Sequence, residues 1–349
     1  MQQVVYRTGG FFFNDQPMLL GSVSHCWESM EHPDPYGSQN AMIVQYFEKF
    51  REFAVWVFVD YLSLYQFRRQ TDSQEVSFRK ALDSMHVLYA HERIHVLILR
   101  EISTEDERKT MDASGQEVSV YDDGAGCVRK RKTSDLKANR KGYDKRGWCA
   151  AELQWSSNRE EAETNLPLPP NLFKDFLSKL EFTHRNDSEA VLALQAKVFY
   201  QKAREARSLD LKKLSREQVK ILPEILRHYR NLERVSIRDT PLDEDGTRAI
   251  LQTRAEHILM EHCGLRTSQT DVIVEQLKEH PHLKTLNLRG NYLAERHKHK
   301  LQKAQERYGM ARMDLEEQKA LPPLQTLTGH TDYVTALCTV SPFLLASGS

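Results

Sequence analysis

The sequence lacks the cysteine pairs that indicate a disulfide framework or a zinc knuckle. Its five cysteines are odd in number and widely scattered, and none of them forms a Cys-x-x-Cys pair. They are Cys26, Cys127, Cys149, Cys263 and Cys338. Such usage is typical of a reducing compartment. We therefore expect a cytoplasmic protein with no metal site.

Net charge and long apolar runs are missing as well. Lys plus Arg and Asp plus Glu each total 49, so no overall field favours nucleic acid or an acidic membrane as a partner. No apolar run reaches the length that spans a bilayer, and no basic region followed by a long apolar run opens the chain. A Gly-x-x-x-x-Gly-Lys-Ser/Thr loop is absent too, which excludes a P-loop nucleotide switch.

Buried strands and amphipathic helices alternate in the first part of the chain. The apolar runs at 18–25, 53–59 and 94–99 predict strands, and helical spacing lies between them. This order predicts a doubly wound α/β domain over residues 1–206, with a polar insertion at 103–141.

The carboxyl ends of the predicted strands carry polar residues. Ligands bind at these ends in doubly wound folds, and Ser24, His25 and Asp60 all fall there. The three side chains are therefore candidates for the rim of a pocket. The alternative is local, because Ser24 and His25 can cap the next turn and Asp60 can start a helix.

One segment combines a carboxylate with two indoles. A helix that begins near Gly147 places Trp148, Glu152 and Trp155 on one face. Apolar surroundings raise the pKa of a carboxyl group and prepare it for proton transfer or for stabilising a developing cation. The structural alternative is that the indoles anchor the helix while Glu152 pairs with Arg146 or Lys145.

The segment Trp148-Cys-x-x-Glu-Leu153 resembles the Trp-Cys-x-x-Glu-Leu helix of TIR domains. The strand that ends in Ser24-His25 and the run from Val57 to Leu64 extend this resemblance over roughly residues 15–205. It implies a flavodoxin-like TIR fold. In TIR domains that cleave NAD the glutamate of this motif is catalytic, which implies Glu152 as the catalytic residue. Ser24, His25, Asp60 and Trp148 would then contact NAD, which enters as substrate, and no cofactor is expected.

A repeated pattern follows the first domain, over residues 207–295. Three segments share one frame of apolar positions, beginning at Leu232, Ala255 and Leu283. The frame resembles the L-x-x-L-x-L-x-x-N/C-x-L pattern of leucine-rich repeats, in which Asn291 or Cys263 can satisfy backbone groups at the turn. This resemblance implies a surface that binds proteins.

The remaining residues predict a linker and an incomplete module. Residues 296–322 are charged and helix-prone, which indicates a solvated linker helix. Residues 323–349 contain Gly329-His330 and close on Leu-Ala-Ser-Gly-Ser, which resembles the first part of a WD-repeat blade. A propeller needs several blades, so we expect a fragment of a longer protein.

Two functions are consistent with the sequence. The first is a signalling or scaffold protein that binds other proteins, with self-association through the TIR-like domain. The second is an NAD hydrolase that uses Glu152. Neither function requires nucleic acid or a membrane as a partner.

Overall fold

The computed structural model describes residues 5–7, 10–13, 16–66, 69–122, 124–159, 166–182, 187–319, 336–341 and 344–348. Two five-stranded sheets contain most of the parallel strands in this part of the chain. The predicted α/β class with parallel strands is confirmed.

The first sheet is built around one long strand. Its strands are β1 (Val5–Arg7), β2 (Gly10–Phe13), β3 (Gln16–His25), β4 (Ala54–Phe58) and β5 (Ile94–Leu99). Strand β3 pairs in parallel with both β4 and β5, as the three predicted buried runs require. Strands β1 and β2 extend the sheet in antiparallel pairing.

Helices cover both faces of the first sheet. Those up to residue 205 are α1 (Ser38–Phe47), α2 (Asp60–Ser63), α3 (Asp72–Leu82), α4 (His86–Ala90), α5 (Glu105–Ala113), α6 (Gly147–Ser157), α7 (Pro170–Leu177) and α8 (Asp187–Glu205). Phe47 of α1 packs with Val23 of β3 and Leu99 of β5 in one core. Trp155 of α6 packs with residues of α4 and α8 in a second core. This arrangement is compatible with a doubly wound fold.

The polar insertion at 103–141 is folded and packs against the loop after β3. It contains α5 and an antiparallel hairpin of β6 (Glu117–Asp122) and β7 (Cys127–Lys132). The Asn139 amide donates to the carbonyl of Glu28 (2.8 Å), and the Met30 amide donates to the carbonyl of Lys137 (3.0 Å). These bonds hold the end of the insertion over the carboxyl edge of β3.

The second sheet is wholly parallel, and its strands follow the order of the chain. Its elements are β8 (Ser208–Lys212), α9 (Arg216–Leu226), β9 (Arg234–Arg238), α10 (Glu244–Leu251), β10 (His257–Glu261), α11 (Thr267–Glu279), β11 (Thr285–Asn287), α12 (Glu295–Tyr308) and β12 (Arg312–Asp314). One helix connects each strand to the next, and the helices pack on one face of the sheet.

A left-handed residue follows each strand of the second sheet at the same register. The five residues are Lys213 (φ 56), Asp239 (φ 51), His262 (φ 54), Gly290 (φ 71) and Glu317 (φ 53). Each of the first four donates its amide to a carbonyl of the next repeat, over 3.0 to 3.2 Å. The turn is therefore a repeated unit, and four non-glycine residues adopt a conformation that L-residues rarely occupy.

The predicted linker at 296–322 is wrong for its described residues. Leu301 and Ala304 of α12 are buried in the core of the second sheet, and β12 pairs in parallel with β11. The charged residues that suggested a solvated helix occupy only its outer face. A mainly polar helix can bury one narrow apolar stripe, which the composition of the segment conceals.

The predicted boundary after residue 206 does not separate two cores. Phe199 and Ala203 of α8 lie in the core of the second sheet, whereas Val191 and Val198 of the same helix lie in the core around Trp155. Helix α8 is therefore shared by both cores.

The predicted WD-repeat segment is only partly described. Gly329 and His330 lie outside the described residues. Strands β13 (Ala336–Ser341) and β14 (Leu344–Gly348) form an antiparallel pair. No helix among the described residues is long and apolar enough to cross a membrane.

Candidate functional site

A cluster of three buried polar side chains lies at the carboxyl end of β3. The Ser24 hydroxyl donates to a carboxyl oxygen of Glu152, and its oxygen lies 2.5 Å from the Tyr143 hydroxyl. Helix α6 begins at Gly147 and places Glu152 in its second turn against the end of β3. Ser24 is fully buried, and Glu152 is 7 % exposed.

A second pair lies beside this cluster. The Nε2 atom of His25 is 3.0 Å from Oδ1 of Asp60, and its Nδ1 atom is 2.7 Å from Oε1 of Gln39. The Trp27 indole donates to the other oxygen of Asp60 (3.0 Å). Asp60 is also the first residue of α2. It therefore both starts a helix and contacts His25. The side chain of Asp60 is 30 % exposed and that of His25 is 4 % exposed, so Asp60 is half-buried and His25 is buried.

The charge states of these groups depend on one another. Burial raises the pKa of Glu152 to about 8, and the nearby Asp60 carboxylate acts in the same direction. Burial opposes the charged form of His25, but the hydrogen bond and charge of Asp60 outweigh it and raise its pKa to about 8. Burial also opposes the charge of Asp60, yet the contact with His25 lowers the pKa of Asp60. At neutral pH the site therefore holds a neutral acid beside an imidazolium–carboxylate pair.

The structure brings four of the five predicted site residues together. Ser24, His25, Asp60 and Glu152 form the two contacting groups described above. Trp148 is not part of them, since its indole donates to Asp187 of α8 (2.9 Å) and its ring packs edge-on against Trp155.

Trp155 anchors α6 in a hydrophobic core, as the structural alternative expects, but within the described residues Glu152 forms no ion pair with Arg146 or Lys145. Arg146 does not pair with it, because the Arg146 guanidinium donates to the carbonyls of Trp27 (2.6 Å) and Lys141 (2.8 Å). The hydrogen bond of Glu152 to Ser24 connects α6 directly to β3.

Sequence reasoning missed three polar members of this region. The Tyr143 hydroxyl contacts that of Ser24. Gln39 of α1 contacts His25 through its amide oxygen and donates from its amide nitrogen to Glu28 (3.2 Å). Glu28 accepts two further bonds from Ser103 (both 3.0 Å), and burial raises its pKa. Tyr143 precedes the motif helix closely enough to have been a candidate, whereas no signal distinguished Gln39 from a surface glutamine.

The second sheet presents a different candidate site on the face opposite its helices. We name this surface the open face. It consists of Ser208, Asp210, Lys212, Arg234, Ser236, Arg238, His257, Leu259, Glu261, Thr285, Asn287, Arg312 and Asp314, which alternate with the buried residues of the five strands. Side chains connect neighbouring strands across it, such as His257 Nδ1 with the Thr285 hydroxyl (2.9 Å) and Asn287 Nδ2 with Glu261 (2.5 Å).

Within the described ranges, no group of three or more His, Cys, Asp or Glu side chains is arranged to hold a metal ion. No protein-family model matches the chain, and no curated protein matches it. The fold and its sites define an α/β protein with a buried titratable cluster on one parallel sheet and an open polar face on another.

Proposed function

We propose that the chain is a signalling or scaffold protein that binds other proteins through the open face. The observation that carries this proposal is a parallel sheet whose helices lie on one side only. Parallel sheets in α/β proteins normally have both faces covered, and their strands are apolar on both sides. In the second sheet the outward side chains are polar except for Leu259 and are mostly half-buried, whereas the alternate side chains pack in or against the hydrophobic core.

The turns that follow the strands support a repeat architecture. The side chains of Thr240, Cys263, Asn291 and Gln318 occupy equivalent positions, and each bonds to a backbone group of the preceding repeat. This arrangement is similar to leucine-rich repeats, whose stacked strands create extended binding surfaces. The TIR-like first sheet would supply recruitment or self-association beside that surface.

Charge reversal on the open face tests the proposal. Arg234 on β9 and Arg312 on the edge strand β12 are exposed in one row of the open face, and Arg216 and Arg307 are exposed on the helices. We expect the full chain to capture certain proteins from a lysate, and we expect an Arg234→Glu/Arg312→Glu variant to fail to capture them. The matched Arg216→Glu/Arg307→Glu variant should retain them. Equal capture by both folded variants would refute the open face as the recognition surface.

The geometry of Glu152 favours one second candidate, cleavage of NAD at the nicotinamide bond. Such a reaction passes through a cation-like sugar, which a nearby carboxylate stabilises. Glu152 lies with Ser24, His25 and Asp60 at the carboxyl edge of the first sheet, where ligands of doubly wound folds bind. Because its pKa is about 8, the ionised fraction of Glu152 grows as the pH approaches and passes that value, so turnover should increase with pH.

Nicotinamide release tests this second candidate. The full chain at high protein concentration would be incubated with NAD beside Glu152→Ala and the isosteric Glu152→Gln variant. Glu189→Gln, on the exposed side of α8, is the matched control. Release that disappears only in the Glu152 variants would establish the enzyme. Absence of release from the folded chain would leave the binding function alone.

A further inference from the structure

A cavity lies at the amino edge of the first sheet, opposite the Ser24 cluster. It has a volume of about 750 Å³ and lies between α4, the residues before β5, the loop after α6 and the last turns of α8. This volume falls within the range of about 300–1,000 Å³ that is usual for small-molecule sites. His86, Arg93, Arg159, Val198 and Lys202 are among its lining residues.

Cations exceed carboxylates in the lining. Arg93, Arg159 and Lys202 face two carboxylates, those of Glu92 and Glu205. Lys202 contacts Glu92 over 2.5 Å, and the amide of Gln201 donates to Glu205 (3.1 Å). The cavity therefore carries an excess of positive charge.

The Arg159 guanidinium is held in place before any ligand binds. Its Nη1 atom donates to the carbonyl of Ile94 (3.1 Å), and its Nε atom donates to the carbonyl of Ser156 (3.2 Å). Within the described residues it has no carboxylate partner. A guanidinium that main-chain carbonyls hold in place is well suited to an anion, because its planar group bonds to two oxygens of a phosphate.

One lining residue has a buried polar atom without a partner. The Nδ1 atom of His86 has no hydrogen-bond partner, and His86 is only 5 % exposed. Buried polar groups are normally paired, so this atom points to a polar occupant.

We propose that this cavity binds a small organic phosphate of about nucleotide size. Arg159 and Lys202 hold the phosphate, and His86 bonds to a polar atom of the organic part. Val87, Ala90 and Val198 supply apolar contacts for that part. The site is independent of the open face and of the Glu152 cluster, so it stands whether or not either proposed function holds.

Calorimetric titration of the full chain with AMP, adenosine and inorganic phosphate tests the proposal. We expect AMP to bind at least about tenfold more tightly than adenosine, because the charge-assisted bonds to the phosphate are lost in adenosine. Lys202→Gln and Arg159→Gln should each weaken AMP binding by about tenfold or more. Lys220→Gln removes an equal charge from the exposed face of α9 and should leave the affinity unchanged.

The outcomes that would overturn the proposal are distinct. One is the absence of binding of either phosphate compound at millimolar concentration to the folded chain. Another is equal affinity for AMP and adenosine. A third is unchanged AMP binding in Lys202→Gln. This variant keeps the test valid if Arg159→Gln unfolds because it loses the hydrogen bond to the carbonyl of Ile94.

Discussion

The raised pKa of Glu152 makes the stability of the protein depend on pH. Its ordinary carboxyl value is 4.5 and its value in the fold is about 8, so between these values the native state holds a proton that the unfolded chain releases. Stability therefore falls as the pH rises through this window. Glu152→Gln removes this dependence. As the pH rises, we expect the unfolding free energy of the variant to fall less steeply than that of the wild type, and the two slopes to differ by up to about 1.4 kcal/mol per pH unit.

Chemical denaturation at several pH values between about 5 and 8 measures this difference, within the window set by the two pKa values. Glu217→Gln provides the control, because Glu217 is exposed on α9. Parallel stability curves for the wild type and Glu152→Gln would mean that Glu152 is ionised in the native state.

The pKa of His25 depends on Asp60. His25 has a raised pKa of about 8, so its contribution to stability is complete below 6.5 and is lost as the pH rises through about 8. In Asp60→Asn the hydrogen bond and the charge of the Asp60 carboxylate no longer oppose the effect of burial on His25. We expect the pKa of His25 to fall toward 6.5 or below, measured by NMR titration of the imidazole.

Asp175→Asn, on the exposed side of α7, should leave the titration of His25 unchanged. An unchanged His25 titration in Asp60→Asn would show that Gln39 and Glu152 determine the charge of the imidazole.

The sequence located the four contacting site residues because strand ends and a short motif are local signals. Ser24, His25 and Asp60 follow apolar runs, and Glu152 lies in a recognisable helix. Gln39 was not predictable, since its role depends on a contact between α1 and the end of β3 that no local pattern encodes. For the same reason the bond from Trp148 to Asp187 was not predictable, because the two residues are distant in the chain.

At the scale of an element, Asn291 holds two repeats together. Its side chain is fully buried, accepts from the amides of Cys263 (2.9 Å) and Leu265 (3.1 Å), and donates to the carbonyls of Met260 and Leu288 (both 2.8 Å). Asn291→Ala leaves these backbone groups unpaired. We expect a loss of about 3–5 kcal/mol in unfolding free energy, measured by denaturant titration.

Asn231→Ala is the matched control for this loss. Asn231 is exposed and donates one bond to the carbonyl of Arg204 (2.7 Å), so its replacement should cost about 1 kcal/mol or less. Equal losses in the two variants would contradict the structural role of Asn291.

Two glycines separate the effect of backbone conformation from that of a steric clash. Gly290 (φ 71) and Gly309 (φ 69) are both left-handed, and an alanine at either position should cost roughly 1–2 kcal/mol. A Cβ atom at Gly290 would lie 2.7 Å from the His262 ring, whereas nothing lies within 4 Å at Gly309. We expect Gly290→Ala to be clearly less stable than Gly309→Ala in denaturant titrations.

The His262 ring cannot move without a loss, since its Nδ1 atom contacts Lys319 (3.2 Å). Equal stability of the two alanine variants would show that the ring moves aside freely.

Three strands of the second sheet were predictable from the repeat pattern, and two were not. The frame that begins at Leu283 continues at Met310, but methionines and Gln318 replace its usual residues. Gln318 nevertheless does what Asn291 does one repeat earlier, because its Oε1 atom accepts from the Leu293 amide (3.0 Å). Before the first predicted copy, Leu214 occupies the position of the polar residue, so β8 was missed. From the second repeat onward the physical requirement is a side chain that bonds to the backbone of the repeat before it, which several residue types meet.

At the scale of the whole molecule, α8 connects the two sheets. The Phe199 ring is fully buried in the second core and contacts His228 (5.4 Å) and Tyr229 (6.1 Å), which follow α9. Val198, the preceding residue, is buried in the core around Trp155. A helix shared in this way cannot leave one core without disturbing the other, so we expect both sheets to unfold together.

Phe199→Ala tests this coupling, and the distribution of tryptophan makes the test specific. All four tryptophans precede residue 156, so their fluorescence reports the first sheet, whereas circular dichroism reports both sheets. The wild type should show coincident transitions. Phe199→Ala should cost about 3–5 kcal/mol and lower the midpoint of both signals, although the ring itself packs on the second sheet. Tyr200→Ala, next in the chain and 46 % exposed, should shift neither signal appreciably. A fluorescence midpoint that stays in place while the dichroism midpoint falls would mean that the two cores unfold separately, as the predicted boundary after residue 206 implied.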